Sequence, residues 1–366
     1  MASSWPVVAQ ELRSRSTVVP AISTQRIPPL GSLGQHIRAT LERLERFNTQ
    51  YRQTALPALM IWCEASASSA LEHLHAPFQH IAIARLAAQS QPTASLIVDN
   101  IDAVEAALQH PAPLSLDALL ATHHVLMRNT VPTQAGRVRN QAVWLGGTNP
   151  QTAAFVPPPC TQVPAALADL KNFLQRTDID PLTQAAIAHA QYETIHPHTD
   201  GNGRTGRALI ASVLKARGTS PEFVLPISSG LLGSRFSYVD ALTQYRRGDP
   251  LDIIELIAVA AHRAISNAKL LHQDLQALEE SIYAAASRVS SNFQIVTQLC
   301  LREPVFTAAR AQQLGVPLST AYRIIQRLET QEVLAVEEKI RGQSVWSVKG
   351  LTQALDAFLR RARRPY

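Results

Sequence analysis

The stretch that most limits how this chain can fold is His196-Pro197-His198-Thr199-Asp200-Gly201-Asn202-Gly203-Arg204-Thr205-Gly206-Arg207. A helical pattern follows at once, with Ala208, Leu209, Ala211, Val213 and Leu214 apolar at helical spacing and Gly218 as a stop. Gly201-Asn202-Gly203 therefore sits where a helix begins. There, unpaired backbone N–H groups and the positive end of the helix dipole favour an anion. Two guanidinium forks and a carboxylate suited to Mg²⁺ lie in the same segment, which predicts a polyphosphate site. The spacing His196-x-His198-x-Asp200 also suits the metal cluster of a hydrolase, since zinc favours His and carboxylate ligands. That reading leaves residues 201–207 without a task.

The segment resembles the signature of Fic-domain proteins, H-x-F-x-[D/E]-G-N-G-R-x-x-R. Every specified position matches except the aromatic one, where His198 stands in place of Phe. The resemblance implies transfer of AMP from ATP to a Ser, Thr or Tyr hydroxyl of a target protein, with ATP and Mg²⁺ bound. It assigns His196 as the general base, a task that suits imidazole because its ordinary pKa lies near working pH. It assigns Asp200 to Mg²⁺, and it assigns Asn202, with the flanking backbone N–H groups of Gly201 and Gly203, to the α- and β-phosphates. Arg204 stabilises charge there and Arg207 holds the γ-phosphate. His198 reads as a loop side chain packed where the family keeps Phe.

Flanking sequence extends the likeness. Asp180-Pro181 has the cap-then-proline layout of a helix start, and that helix runs into His196. Upstream, Gln141 to Gly147 and Phe155 to Pro159 resemble the β-hairpin flap of Fic proteins, with Val143, Trp144 and Leu145 as the strand that pairs with a target segment. An ordinary surface hairpin is the alternative. Farther upstream, Ser68 and Glu72 fit the [S/T]-x-x-x-E-[G/N] inhibitory motif, while His73 departs from its last position. The resemblance implies a Glu72 that competes with nucleotide for Arg207, with Ser68 one turn away on the same face. A solvated helix with an incidental glutamate is the bland counterpart.

At 366 residues the chain has room for two or three modules. The expected divisions are an N-terminal helical region with the inhibitory motif (1–95), a Fic core (96–265), a helical linker (266–290) and a winged-helix domain (291–366). The fold class expected is mainly α, a Fic helical core with a β-hairpin flap, plus a C-terminal winged helix-turn-helix module. Hydrophobic residues at 46% against 17% charged read as compact rather than disordered. No stretch is long and apolar enough to span a membrane, and the start lacks a signal-peptide layout, so no membrane partner is expected. Cys63, Cys160 and Cys300 are far apart and unpaired in spacing, which fits a reduced, cytoplasmic protein.

Near the C-terminus, two helical runs flank Gly315-Val316-Pro317, and two strand-like runs (333–337 and 344–348) follow, joined around Lys339 to Gly342. This resembles the winged helices often appended to Fic cores. With Ala321, Ile324, Ile325 and Leu328 inward, the face bearing Ser319, Tyr322, Arg323, Gln326, Arg327 and Thr330 points outward. That face, with Arg341 on the wing and Arg360, Arg361, Arg363 and Arg364 in the tail, is a candidate for DNA through residues 307–348. A net charge of +6 permits such contact. A protein partner or a second copy of the chain, as a homodimer, is the competing use of this module. The runner-up function is accordingly a DNA-binding transcriptional regulator whose Fic core senses nucleotide. The chain itself is also a candidate target, since self-modification satisfies the same chemistry.

Overall fold

The computed structural model describes residues 9–10, 17–87, 92–340 and 342–364. A short antiparallel pair, β1 (Ala9–Gln10) and β2 (Thr17–Val18), precedes five helices: α1 (Gly31–Tyr51), α2 (Leu56–Leu71), α3 (Phe78–Leu86), α4 (Pro92–Gln109) and α5 (Leu116–Met127). After a long hairpin come α6 (Val163–Leu174), α7 (Pro181–Ile195), α8 (Asn202–Ala216), α9 (Ile227–Leu231), α10 (Arg235–Arg246) and α11 (Leu251–Ala284). The chain continues through α12 (Ser291–Arg302), α13 (Ala308–Gln313), α14 (Leu318–Thr330), the antiparallel hairpin β3 (Leu334–Ile340) and β4 (Gln343–Val348), and α15 (Leu351–Ala362). The fold is mainly helical, as expected.

Local chemistry starts several of these helices. The Asp180 carboxylate accepts from the Thr183 N–H at the head of α7, with Pro181 in the first turn. Ser115, Ser290 and Thr307 cap α5, α12 and α13 in the same way. Each such cap contributes about 1 kcal/mol.

Helix α7 is the axis of the core. Every residue from 182 to 195 is buried, so it has no solvent face and its polar side chains must find partners inside. Gln191 donates to Pro20 O and accepts from Tyr245 OH, while His189 bonds Tyr238 OH at 2.7 Å. Helix α8 packs along α7, and α11 braces α7, α9, α10 and α15. Helix α2 is also enclosed. Its Glu64 accepts from both the N–H and the hydroxyl of Ser228, yet burial still raises its carboxyl to about 7.

Two expected boundaries fall inside helices. The one at 95/96 lies in α4, and the one at 265/266 lies in α11, so core and linker share one continuous rod. The C-terminal segment returns to the core beside the end of α2. Asp356 accepts from the Phe78 N–H, and Arg363 meets His75 Nδ1 at 3.0 Å. Arg361 is tied to Asn267 and Asp274 on α11. These two tail arginines are therefore committed within the protein, unlike the phosphate contacts expected of them.

Candidate functional site

The loop between α7 and α8 is gripped at both ends by left-handed backbone. His196 closes α7 at φ 49° and Gly201 opens α8 at φ 75°. Between them, Asn202 makes a reciprocal clasp on His198. Its Oδ1 accepts from the His198 N–H and its Nδ2 donates to His198 O, both at 2.9 Å. The expectation for Asn202 was a phosphate contact, whereas its side chain is spent on loop geometry. The backbone N–H groups of residues 202–204 are what the first turn of α8 offers an anion. Replacing Asn202 by Ala is expected to lower stability by about 1–3 kcal/mol, because two buried backbone groups lose their partners. An unchanged urea midpoint would deny the clasp its role.

His198 fills the place of the family's Phe by stacking on His123, with ring centroids 3.5 Å apart and planes 7° apart. Its Nδ1 faces Arg137 O at 2.8 Å, so it donates there. His123 Nδ1 accepts from the Gly136 N–H, which leaves its proton on Nε2 to donate to Asp200 O at 3.0 Å. Burial holds both rings neutral, His123 down to about 4 and His198 down to about 3. A ring stacked and bonded in this way anchors the loop, and the hydrolase cluster finds no support, since among the described residues no group of three His, Cys, Asp or Glu could hold a metal ion.

Arg139 is a buried residue that local sequence did not mark. Its Nε donates to His196 O at 2.8 Å, and its terminal nitrogens donate to Gln141 O and Pro158 O, the two roots of the hairpin. One guanidinium thus bolts the α7–α8 loop to the flap. The flap itself carries one bridge, Leu145 with Phe155, and not the longer strand expected over 143–145. The close approach of Gly147 to the backbone of Ala153 leaves no room for a Cβ there. Trp144 is 40% exposed and Val143 is half-buried, outside any ladder. Arg246 lies over the Phe155 ring at 3.8 Å, underneath the flap.

Glu72 reaches this loop from the end of α2. Its Oε1 accepts from Arg207 Nη2 at 2.7 Å, and its Oε2 lies 2.8 Å from Arg204 Nε as an ion pair off the hydrogen-bond line. The same carboxylate sits against Gly203, where any Cβ would strike it. Ser68 accepts from Arg207 through its hydroxyl at 2.8 Å and its carbonyl at 3.0 Å. His73, the departure from Gly or Asn, takes φ 64°, the left-handed position those residues favour. The N–H groups of His73 and Leu74 return to Ala70 O and Ser69 O, which closes α2 and fixes where Glu72 points.

Asp200 is mostly exposed. Its Oδ1 accepts from the Gly201 N–H at 2.6 Å and lies 3.7 Å from Arg204. Among the described residues no group of three His, Cys, Asp or Glu could hold a metal ion. One accessible carboxylate suits a Mg²⁺ that takes its other ligands from phosphates and water.

In the C-terminal module, Ser319, Tyr322, Arg323, Gln326, Arg327 and Thr330 are exposed on α14, as expected. Arg327, however, donates to Ala285 O and is turned toward the protein. Arg341 lies outside the described residues.

Residues 113–214 match the Fic/DOC family. This part of the chain is a Fic/DOC domain. The chain is 30% identical over 152 residues to protein adenylyltransferase fic-1 of Caenorhabditis elegans, a match that covers 42% of this chain and 28% of that protein. Protein adenylyltransferase Fic of Nematostella vectensis is 27% identical over 161 residues, 43% of this chain and 35% of that protein. The chain thus spans about a third, or less, of the length of these relatives. A solved Fic family protein from Desulfovibrio desulfuricans G20 shares the fold over 89% of this chain and 98% of its own, with a TM-score of 0.58 at 22% identity. A fragment of C. elegans Fic-1 shares it over 65% of this chain and 72% of its own, with a TM-score of 0.52 at 23% identity. Among the described residues, no helix is long and apolar enough to cross a membrane.

Proposed function

We propose that this chain is a protein adenylyltransferase, held down by Glu72. The observation that carries the reading is the Glu72 carboxylate, which pairs with both Arg204 and Arg207 at the head of α8. Two arginines with side chains 6% and 3% exposed, beside a helix N-terminus, need a compact anion there. The carboxylate is one such anion and a nucleotide polyphosphate is another.

In this reading ATP displaces Glu72. Arg207 holds the γ-phosphate, and Arg204 and the backbone N–H groups of the Gly201–Gly203 turn hold the phosphates nearer the ribose. Mg²⁺ held by Asp200 would neutralise charge on the phosphates. His196 takes the proton from the attacking hydroxyl, an O–P bond forms at the α-phosphorus, and the bond to the β-phosphate oxygen breaks as pyrophosphate leaves. The exposed backbone of residues 142–144 would align the target segment as an added strand. Intact-mass analysis tests this directly. Glu72→Gly protein incubated with ATP and Mg²⁺, alone and with a lysate, should yield AMP-bearing protein. No adduct on any protein from a folded sample would sink the reading.

The second reading, DNA contact through a winged helix at residues 307–348, is supported by the α13–α14 turn and the β3–β4 hairpin beside it. Tyr322, Arg323 and Gln326 are exposed along α14, Tyr322 also resting edge-on against the Trp346 ring. Affinity for duplex DNA should fall steeply with salt, and Arg323→Ala should weaken it. No retention on DNA even at low salt would leave the module to a protein partner or a second copy.

A further inference from the structure

The general base proposed above has a buried carboxylate beside it. The Glu193 Oε2 stands 3.7 Å from His196 Nδ1, with both side chains about one-tenth exposed. The left-handed close of α7 at His196 returns the imidazole over the last turn, to the residue three positions earlier. His196 Nδ1 is buried and has no hydrogen-bond partner at this separation. We propose that Glu193 is a positioning residue for His196, keeping the proton on Nδ1 and leaving Nε2 to accept the proton of the target hydroxyl. The proposal rests on His196 acting as the base.

The surroundings favour an ionised Glu193. On α7 its neighbours are Tyr192 and His189, the latter neutral and bonded to Tyr238. From α8 it faces Arg207, which is committed to Glu72 and Ser68, and from α10 it faces Tyr238 and Arg246, the latter stacked on Phe155. Arg139 approaches from the flap root, but spends its donors on carbonyls, and His198 is held neutral in the loop. Burial alone would push Glu193 up, but the neighbouring His196, His189 and Arg207 outweigh it and bring it down to about 2. A fixed negative charge next to Nδ1 selects the tautomer and stabilises the imidazolium formed during transfer, the task a carboxylate performs beside histidine in hydrolytic triads.

A neutraliser of Arg207 and Arg246 would also be missed if removed, so the test must read His196 itself. In the Glu72→Gly chain, Glu193→Gln keeps the shape and removes the charge. Its AMP-transfer rate at saturating ATP should fall about 10- to 100-fold, with KM for ATP little changed. The acid limb of the pH–rate profile and the NMR signal of the ¹³C-labelled His196 ring as a function of pH should both move to lower pH. Glu193→Asp, which keeps the charge, should retain the titration and lose less rate, and it serves if the Gln variant does not fold. An unmoved His196 titration in a folded variant overturns the proposal. Should the Glu72→Gly parent transfer no AMP, the adenylyltransferase reading fails, and the titration still decides whether the pair exists.

Discussion

Glu72→Gly is expected to transfer AMP at least about ten times faster than the unaltered chain, which corresponds to about 1.4 kcal/mol of relieved competition. In the proposed reading, a nucleotide's terminal phosphates would claim the donors that the Glu72 carboxylate now faces: Arg207 Nη2, Arg204 Nε and the open first turn of α8. Apparent affinity falls in proportion to the fraction of molecules whose site is free. Glycine is conformationally safe here, because Glu72 caps α2 at φ −100° and ψ 20°. Removing the carboxylate also takes the nearest counter-charge from two buried guanidinium groups, leaving Asp200 beside Arg204 and Glu193 near Arg207, a loss on the order of 1–3 kcal/mol in the absence of nucleotide. ATP should restore it, so nucleotide should raise the Tm of Glu72→Gly more than that of the parent. Equal transfer rates and equal thermal shifts from a folded variant would remove Glu72 as the restraint.

The second large effect concerns acid. Burial lowers His123 and His189 to about 4 and His198 to about 3. In the unfolded chain each takes a proton near pH 6.5. Their contribution is therefore present in full above pH 6.5 and is lost as pH falls toward 4. Glu64, raised to about 7 by burial, works in the opposite direction, since its contribution is lost as pH rises from its unfolded value through 7. Three histidines against this one carboxyl give a net loss on the order of 3 kcal/mol per pH unit below 6.5 at full proton uptake. Urea midpoints at pH 7.5, 6.5 and 5.5 should fall accordingly. His198→Phe keeps the stack on His123 and removes one titrating ring, so its profile should be shallower. A flat profile in the parent would mean these rings are protonated in the folded state.

The parts legible in sequence were those with local causes. Asp180-Pro181 starts α7 and Gly201 starts α8 through backbone chemistry that a short window contains. Glu72 was found through its motif, and its second partner, Arg204, required only that the motif reach the same loop. Arg139 and His123 were not found, because their partners lie 57 and 77 residues away and no local pattern marks a buried arginine that bonds carbonyls. The flap read as a strand on alternation at Val143 to Leu145, yet alternation does not say whether a partner strand is in register to pair. The outward face of α14 was correct by periodicity, but periodicity could not reveal that Arg327 bends back to Ala285.

Helix α2 is enclosed from Trp62 through Leu71, with α4, α8, α9, α11 and α15 around it. Detaching such a helix would open the core and amount to sub-global unfolding, a rare and slow event. Glu72 stands just past that enclosure, on the helix cap, with its side chain 29% exposed. Rotation about its side-chain bonds would draw the carboxylate from the two arginines without displacing the helix, a smaller motion than sub-global unfolding. The restraint proposed for Glu72 would thus be a hinged latch on an enclosed post. Whatever opens it must act within a few ångströms of the carboxylate and need not move a helix.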